Sequence, residues 1–364
     1  MFEVEHNNLR SALDYLIATG DTGWGFRLGA AMFRFWETCE HLTEGRDHLD
    51  KLLQLKDERH RTTRARLLFD GGVLAVAQGD YVAAQRLLDE SLEICVEQQD
   101  SRGVAVALNA LATNARERGD LASSVFLFKR CVDMWRELGN AGDTARALSN
   151  LASVTKLQGE FEQASSLYAE SLELFRKVGD VSGAAWTLNY QGDVARERND
   201  LTSAQSCYEQ SLAAFSLLRD GWGIASSLSD LASLSCDQGN NEEARRLYAE
   251  SIQMFQSLGH KRGIARVLEC LAANAAAQSD GIQALRLAGA AAALRERLGA
   301  PLAMTERSRL ERALDFARRT LDNTTSPAAW MEGYAMPLER AIEAALSYKD
   351  ELRVPGRRSL QAES

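Results

Sequence analysis

The feature that most constrains this chain is a period. From Arg61 to Ala300 the sequence repeats six times at a spacing of 40 residues, without an insertion. The same chemistry recurs in one column: Gly79-Asp80-Tyr81, Gly119-Asp120-Leu121, Gly159-Glu160-Phe161, Asn199-Asp200-Leu201, Gly239-Asn240-Asn241 and Ser279-Asp280-Gly281. A small residue follows each triplet (Ala84, Ser124, Ala164, Ala204, Ala244, Ala284), then a large one (Leu88, Phe128, Tyr168, Tyr208, Tyr248), which shrinks to Ala288 in the sixth unit. Periodicity at this length marks a stacked array, in which each unit buries its apolar face against its neighbours.

Each unit reads as two helices. Between Ala141 and Gln158 the apolar positions Ala145, Leu148, Leu151, Ala152 and Val154 recur at helical spacing, which defines one buried face. Gly159 supplies a left-handed C-terminal residue and Glu160 an acidic start for the second helix. That helix carries Phe161, Ala164, Leu167, Tyr168, Leu172 and Phe175 on one stripe and closes at Gly179. Asp180 and Asp220 stand where they cap the next unit. The small and large columns explain each other: an Ala or Ser admits a close helix crossing, and the ring one turn later fills the space beside it.

These residues resemble the tetratricopeptide repeat. Gly72, Gly79, Asp80, Tyr81 and Ala84 match its signature in the first unit, and Ala152, Gly159, Phe161, Ala164 and Tyr168 match it in the third, where Ser171 replaces the second Ala. The units depart from the family pattern in lacking the closing proline and in helices about a turn longer than the 34-residue form. The resemblance implies an all-α, right-handed superhelical solenoid of antiparallel helix pairs with helical caps.

Around the array, residues 1–60 read as a lead-in helix followed by a divergent repeat, in which Glu40-His41-Leu42 falls where Gly-Asp-Tyr does and Gly45 takes the small position. Residues 301–352 read as capping helices, with Ser326-Pro327 as N-cap and first turn of one of them, and 353–364 as a disordered tail. All four prolines, at 301, 327, 337 and 355, lie beyond the array, leaving its helices free of that breaker. A narrower resemblance rests on the opening Glu5-His6-Asn7-Asn8-Leu9-Arg10-Ser11-Ala12-Leu13, the helix starts Gly103-Val104-Ala105 and Gly263-Ile264-Ala265, and the closing Ala329-Trp330-Met331-Glu332-Gly333-Tyr334-Ala335-Met336. They look like the C-terminal repeat region of bacterial STAND or LuxR-like signal-transduction ATPases, which implies a sensor or scaffold arm controlling an ATPase module in the parent protein.

Chemistry is sparse. No G-x-x-x-x-G-K-[ST] loop is present, so the chain lacks that phosphate cradle. Gly23-Trp24-Gly25 and Gly221-Trp222-Gly223 follow no predicted strand and read as packing. The five histidines, His6, His41, His48, His60 and His260, form no H-E-x-x-H pair and read as surface residues rather than ligands. Six cysteines without a C-x-x-C pair read as reduced, buried thiols. The expectation is a protein with no catalytic residue, cofactor or metal. A net charge of −9 argues against nucleic acid as a direct partner, and no apolar run is long enough to span a bilayer. The opening residues lack signal-peptide character, which gives a cytoplasmic expectation.

Function is sought on the concave wall, lined by the first helix of each pair. One row reads Arg116, Lys156, Arg196, and near it lie Asn109, Arg146, Trp186, Asn189, Tyr190 and Asp193. The row is either a groove for an acidic or extended protein or peptide segment, or a set of solvated side chains near helix ends. A ligand-sensing domain, in which a small molecule or peptide alters the superhelical pitch, is the alternative.

Overall fold

The computed structural model describes residues 2–38, 41–55 and 57–346. Cys39, Glu40 and the tail expected at 353–364 lie outside the described residues, as does the last turn expected for the final helix. The described chain is almost entirely α-helical and contains no strand. Three helices open it, α1 (Phe2–Thr19), α2 (Thr22–Thr38) and α3 (Leu42–Gln54), followed by a short 3-10 turn, Glu58–His60. Six antiparallel pairs follow: α4 (Arg61–Ala77) with α5 (Tyr81–Glu97), α6 (Ser101–Glu117) with α7 (Leu121–Glu137), α8 (Ala141–Leu157) with α9 (Phe161–Val178), α10 (Val181–Glu197) with α11 (Leu201–Leu218), α12 (Gly221–Asp237) with α13 (Asn241–Ser257), and α14 (Lys261–Ala277) with α15 (Gly281–Leu298). The chain ends in α16 (Met304–Thr320), α17 (Thr325–Ala335) and α18 (Leu338–Leu346).

Turn chemistry sets the boundaries. Gly79, Gly119, Gly159 and Gly239 adopt positive φ, and Asn199 and Ser279 take the same left-handed conformation in the glycine column. The residue that follows is the N-cap, and Asp80, Asp120, Asp200 and Asp280 each accept a hydrogen bond from the amide three residues on. Asp180 and Asp220 cap α10 and α12 in the same way. The start of α17 departs from expectation. Asp322 accepts from the amides of Thr324 and Thr325 at 2.8 and 2.7 Å, so the helix begins at Thr325, ahead of Ser326, and Pro327 sits inside its first turn.

The core consists of the two columns. Ala84, Ser124, Ala164, Ala204, Ala244 and Ala284 are buried, as are Leu88, Phe128, Tyr168, Tyr208 and Tyr248. Close packing reaches its limit at Gly192, where an added methyl would lie 2.6 Å from the Tyr208 ring. A further tie repeats inside the pairs: Ser91, Ser171 and Ser251 donate to the carbonyls of Ala65, Ala145 and Ala225 at 2.7–2.8 Å, and the Cys131 thiol donates to Ala105 at 3.4 Å. This explains why a hydroxyl or thiol stands where the repeat signature places Ala. Burial pushes the Cys131 thiol up to about 12, so it packs as a neutral group.

Two features of the architecture go beyond stacking. The superhelix closes on itself: Leu298 and Ala300, at the end of the sixth pair, share a hydrophobic core with Leu13, Phe26, Trp36, Leu49 and Leu67. Arg262 donates across the same seam to the Glu37 carbonyl at 2.9 Å. The α16 helix then forms a crossbar over one mouth of the closed turn. Methyl groups at Gly79 and Gly119 would meet Pro301 at 2.7 Å and Met304 Sδ at 3.1 Å, Arg309 pairs with Glu197 at 3.0 Å, and Gly281 abuts Ala317 and Leu321. The segment 301–321 thus runs from the inter-helix turns of the first two pairs to those of the fourth and sixth. Behind it, α17 crosses α15 so tightly that a Cβ at Gly333 would strike the Arg286 carbonyl.

Candidate binding surface on the inner wall

The inner wall is built from columns of the first helices. The expected basic row is present but matched. Arg116 pairs with Glu117 at 2.7 Å, Lys156 with Asp193 at 3.0 Å, and Arg196 with Asp237 at 2.5 Å. Two of these bridges join successive repeats, so the row forms part of an ion-pair lattice and not a bare positive strip. Asn109 accepts from Asn150 at 3.0 Å, again across a repeat boundary. Arg146 is exposed and pairs only within its own helix, with Asp143 at 2.5 Å.

Asp193 is a junction. It takes a hydrogen bond from Tyr208 at 2.9 Å as well as from Lys156. Burial alone would raise its pKa, but Lys156 and the Tyr208 hydroxyl hold it below the usual carboxylate range. The reverse holds at Asp230 on α12, where burial dominates and lifts the carboxyl despite the Arg266 guanidinium at 2.6 Å. The buried Asn189 side chain stands beside Asp230 and favours its ionised form. One helix further, Arg295 grips Glu269 through both carboxylate oxygens, and both side chains are nearly buried. Glu306, from the crossbar, lies within electrostatic reach of Arg266, Arg295 and Glu269. The chamber therefore collects charges of both signs from α6 to α16.

An aromatic wall runs beside this lattice. Trp186 packs at a tilt against Trp222 with ring centres 4.4 Å apart and against Phe215 at 4.7 Å, Tyr190 bridges Trp186 and Tyr168 at about 6 Å, and His260 follows Trp222 at 6.1 Å. Trp222 keeps 42% of its surface exposed, which makes it an apolar contact open to a partner. The structure thus brings Lys156, Trp186, Asn189, Tyr190, Asp193 and Arg196 together, with Arg116 within electrostatic reach of Tyr190 and Tyr168, while the Asn109 side chain bonds Asn150 of the neighbouring repeat and Arg146 stands exposed on α8.

Sequence reasoning missed Asp230, Arg266, Glu269 and Trp222. The first three were one or two periods away: 40 residues past Tyr190 lies Asp230, and 80 past Trp186 and Asn189 lie Arg266 and Glu269. Trp222 was set aside as packing within Gly221-Trp222-Gly223. The histidines also differ from expectation. His48 is buried, bonded to Asp14 at 3.1 Å and to the Glu44 carbonyl at 2.9 Å. His6, His41 and Glu44 gather at one point. Folding α1 back on α3 brings together residues that no linear spacing connects. The five described cysteines are free thiols, and no described helix is long and apolar enough to cross a membrane.

The geometry defines a helical-repeat solenoid with a polar and aromatic inner wall. A tetratricopeptide-repeat model matches residues 63–137 and 143–216, and a second model of the same description matches 224–258. Together they cover about half of the chain. The chain belongs to the tetratricopeptide-repeat family. Comparison with curated proteins finds no match. Among solved structures, the Rap conjugation gene regulator of plasmid pLS20 in complex with the Phr* peptide is similar at a TM-score of 0.60 and 13% identity, over 96% of this chain and 98% of that one. A Rap protein complexed with competence and sporulation factor gives 0.58 and 13%, over 87% and 98%, and apo RapI gives 0.56 and 16%, over 82% and 98%. At such identities the likeness is one of fold.

Proposed function

We propose that the chain is a noncatalytic scaffold whose inner wall binds an extended protein or peptide segment, and that it serves as the regulatory arm of a bacterial signalling ATPase or transcriptional regulator in the cytoplasm. The observation that carries this reading is the half-exposed Trp222 packed against Trp186 beside Tyr190, bordered by the Asp230–Arg266 pair. A similar solenoid, the Rap regulator of plasmid pLS20, is described in complex with the Phr* peptide, which supports the class of ligand. The resemblance of the end motifs to those of signalling ATPases is what suggests the context.

Magnitudes assign the roles. Three exposed ion pairs supply at most about 1 kcal/mol each, whereas micromolar affinity needs about 8. Arg116, Lys156 and Arg196 already have carboxylate partners in the free protein, so a ligand gains selectivity from them more than affinity. Anchoring falls to Trp186, Tyr190 and Trp222, as aromatic hot spots usually provide it. A peptide-display selection against the purified protein tests this. Peptides enriched on the wild type are expected to lose at least about tenfold in affinity against Trp186→Ala and Trp222→Ala. Undiminished binding by both variants, with helicity intact, would remove the inner wall as the site.

The ligand-sensing alternative draws support from the closed seam and the crossbar. A ligand that entered past α16 would have to shift Pro301 and Met304 from Gly79 and Gly119, opening the ring. Small-angle scattering of the complex is expected to show a change in radius of gyration under this reading, and no change leaves simple scaffolding.

A further inference from the structure

At the turn between paired helices the array places an Asp, Glu or Asn as N-cap of the second helix; the four Asp side chains accept a capping bond, and Glu160 and Asn240 do not. In the divergent N-terminal repeat that position is His41, preceding α3. Its side chain makes no capping hydrogen bond, although His260 shows that a histidine in this fold can cap, accepting from the Gly263 amide at 3.0 Å. The His41 imidazole instead faces His6 of α1, with ring centres 4.6 Å apart, and both rings pack on Phe35. Glu44, one turn into α3, completes the group, 2.7 Å from His6 Nε2. One ligand-type atom from each of these three residues lies within 4.8 Å of the other two.

We propose that His6, His41 and Glu44 form a binding site for a divalent transition-metal ion such as Zn²⁺ or Co²⁺. Two imidazoles and one carboxylate are a donor set that suits these ions, with bonds of about 2.0–2.2 Å and a remaining position for water. Such bonds set neighbouring donors a little over 3 Å apart, so the group needs a closing movement of side chains rather than of helices. The surroundings orient it. Trp36 Nε1 donates to the same Glu44 oxygen at 3.4 Å, and His48 bonds the Glu44 carbonyl. The ion would staple α1 to α3, elements joined otherwise by modest packing next to the seam where the superhelix closes.

Untagged full-length protein titrated calorimetrically with ZnCl₂, and with CoCl₂ under visible spectroscopy, tests the site. The expected result is one ion per chain, with a cobalt spectrum of low-coordinate nitrogen and oxygen ligands. His6→Ala and His41→Asn should each weaken binding at least about tenfold, while His60→Asn leaves it unchanged. His41→Asn installs the kind of side chain that caps α8 from Asn140, so its thermal midpoint without metal should equal or exceed that of the wild type; this keeps the test sound if an alanine variant unfolds. Absence of stoichiometric binding by the wild type, or binding undiminished in His6→Ala and His41→Asn, overturns the proposal.

Discussion

Two aspartate–arginine pairs occupy the same two columns of the inner wall, four repeats apart, and behave differently. Asp70 and Asp230 are 160 residues apart and Arg66 and Arg266 are 200 apart, each a multiple of the period. In the first repeat, Arg66 lies one turn before Asp70 on α4 and bonds it at 2.8 Å, so the pair is closed within one helix. In the fifth and sixth, Asp230 of α12 reaches Arg266 of α14 at 2.6 Å, and the pair joins two repeats. Residue type and column do not decide what an ion pair does in a solenoid; the direction in which the side chain leans does. A pair closed within its helix leaves the spacing between repeats untouched, whereas a bridging pair helps to fix it.

The largest effect is expected where the bridge is cut. Arg266→Ala leaves the buried Asp230 carboxylate, already crowded by Asp193, without its cation, and such losses cost about 3 kcal/mol or more. Arg66→Ala should cost less, about 1 kcal/mol, because that pair is closed within one helix and ties no two repeats together. Urea unfolding at neutral pH measures both. Equal losses would show that the bridging geometry contributes nothing beyond its chemistry.

A smaller effect sets Asp70 against Asp193 by pH. Burial lifts the Asp70 carboxyl from 3.8 to about 7, against the pull of Arg66. A raised folded-state pKa means that the native protein binds the proton more tightly than the unfolded chain. This group's contribution is full below about pH 4 and is lost as pH rises to about 7. Asp70→Asn should therefore flatten the decline across that window and leave the variant more stable than wild type at pH 8, by an amount on the order of a few kcal/mol at most. Asp193, whose pKa is lowered, works in the opposite sense, and its contribution is lost as acid titrates it. Stability curves of the variant and the wild type that remain parallel from pH 4 to 8 would contradict the assignment to Asp70.

These contrasts also show what was readable in the sequence. The core columns were legible because they face copies of themselves: Ala164 meets the same environment as Ala204, so packing imposes one residue size and the period becomes visible. The inner wall faces a chamber, where no neighbour enforces repetition. Arg116, Lys156 and Arg196 could be seen as a row, but their partners Glu117, Asp193 and Asp237 stand at offsets of 1, 37 and 41 residues, and no single column predicts them. Closure of the superhelix was not legible at all. It depends on how far each repeat rotates, a small angle summed over six pairs, and Leu298 and Ala300 look like ordinary ends of an amphipathic helix. The closing motif around Gly333 has a physical reason for its glycine: the backbone of α17 lies against that of α15.

The smallest expected effect tests whether the turns are as uniform as the period suggests. Most turns place glycine in the left-handed position, but Gln99 ends the first pair at φ 58° and Arg219 ends the fourth at φ 54°. A side chain there costs about 1 kcal/mol relative to glycine through the contact of Cβ with the following carbonyl, offset in part because glycine makes the unfolded chain more flexible. Arg219→Gly is expected to gain about 0.5 kcal/mol in urea unfolding, and Gln99→Gly a similar amount, since neither residue is held by a side-chain hydrogen bond among the described residues. Gly179, in the same column as Arg219 at φ 73°, provides the control: Gly179→Arg should lose what Arg219→Gly gains. If the two exchanges do not mirror each other, the turns differ in more than residue identity, and the bridging pairs of the later repeats would be the first place to look for the strain.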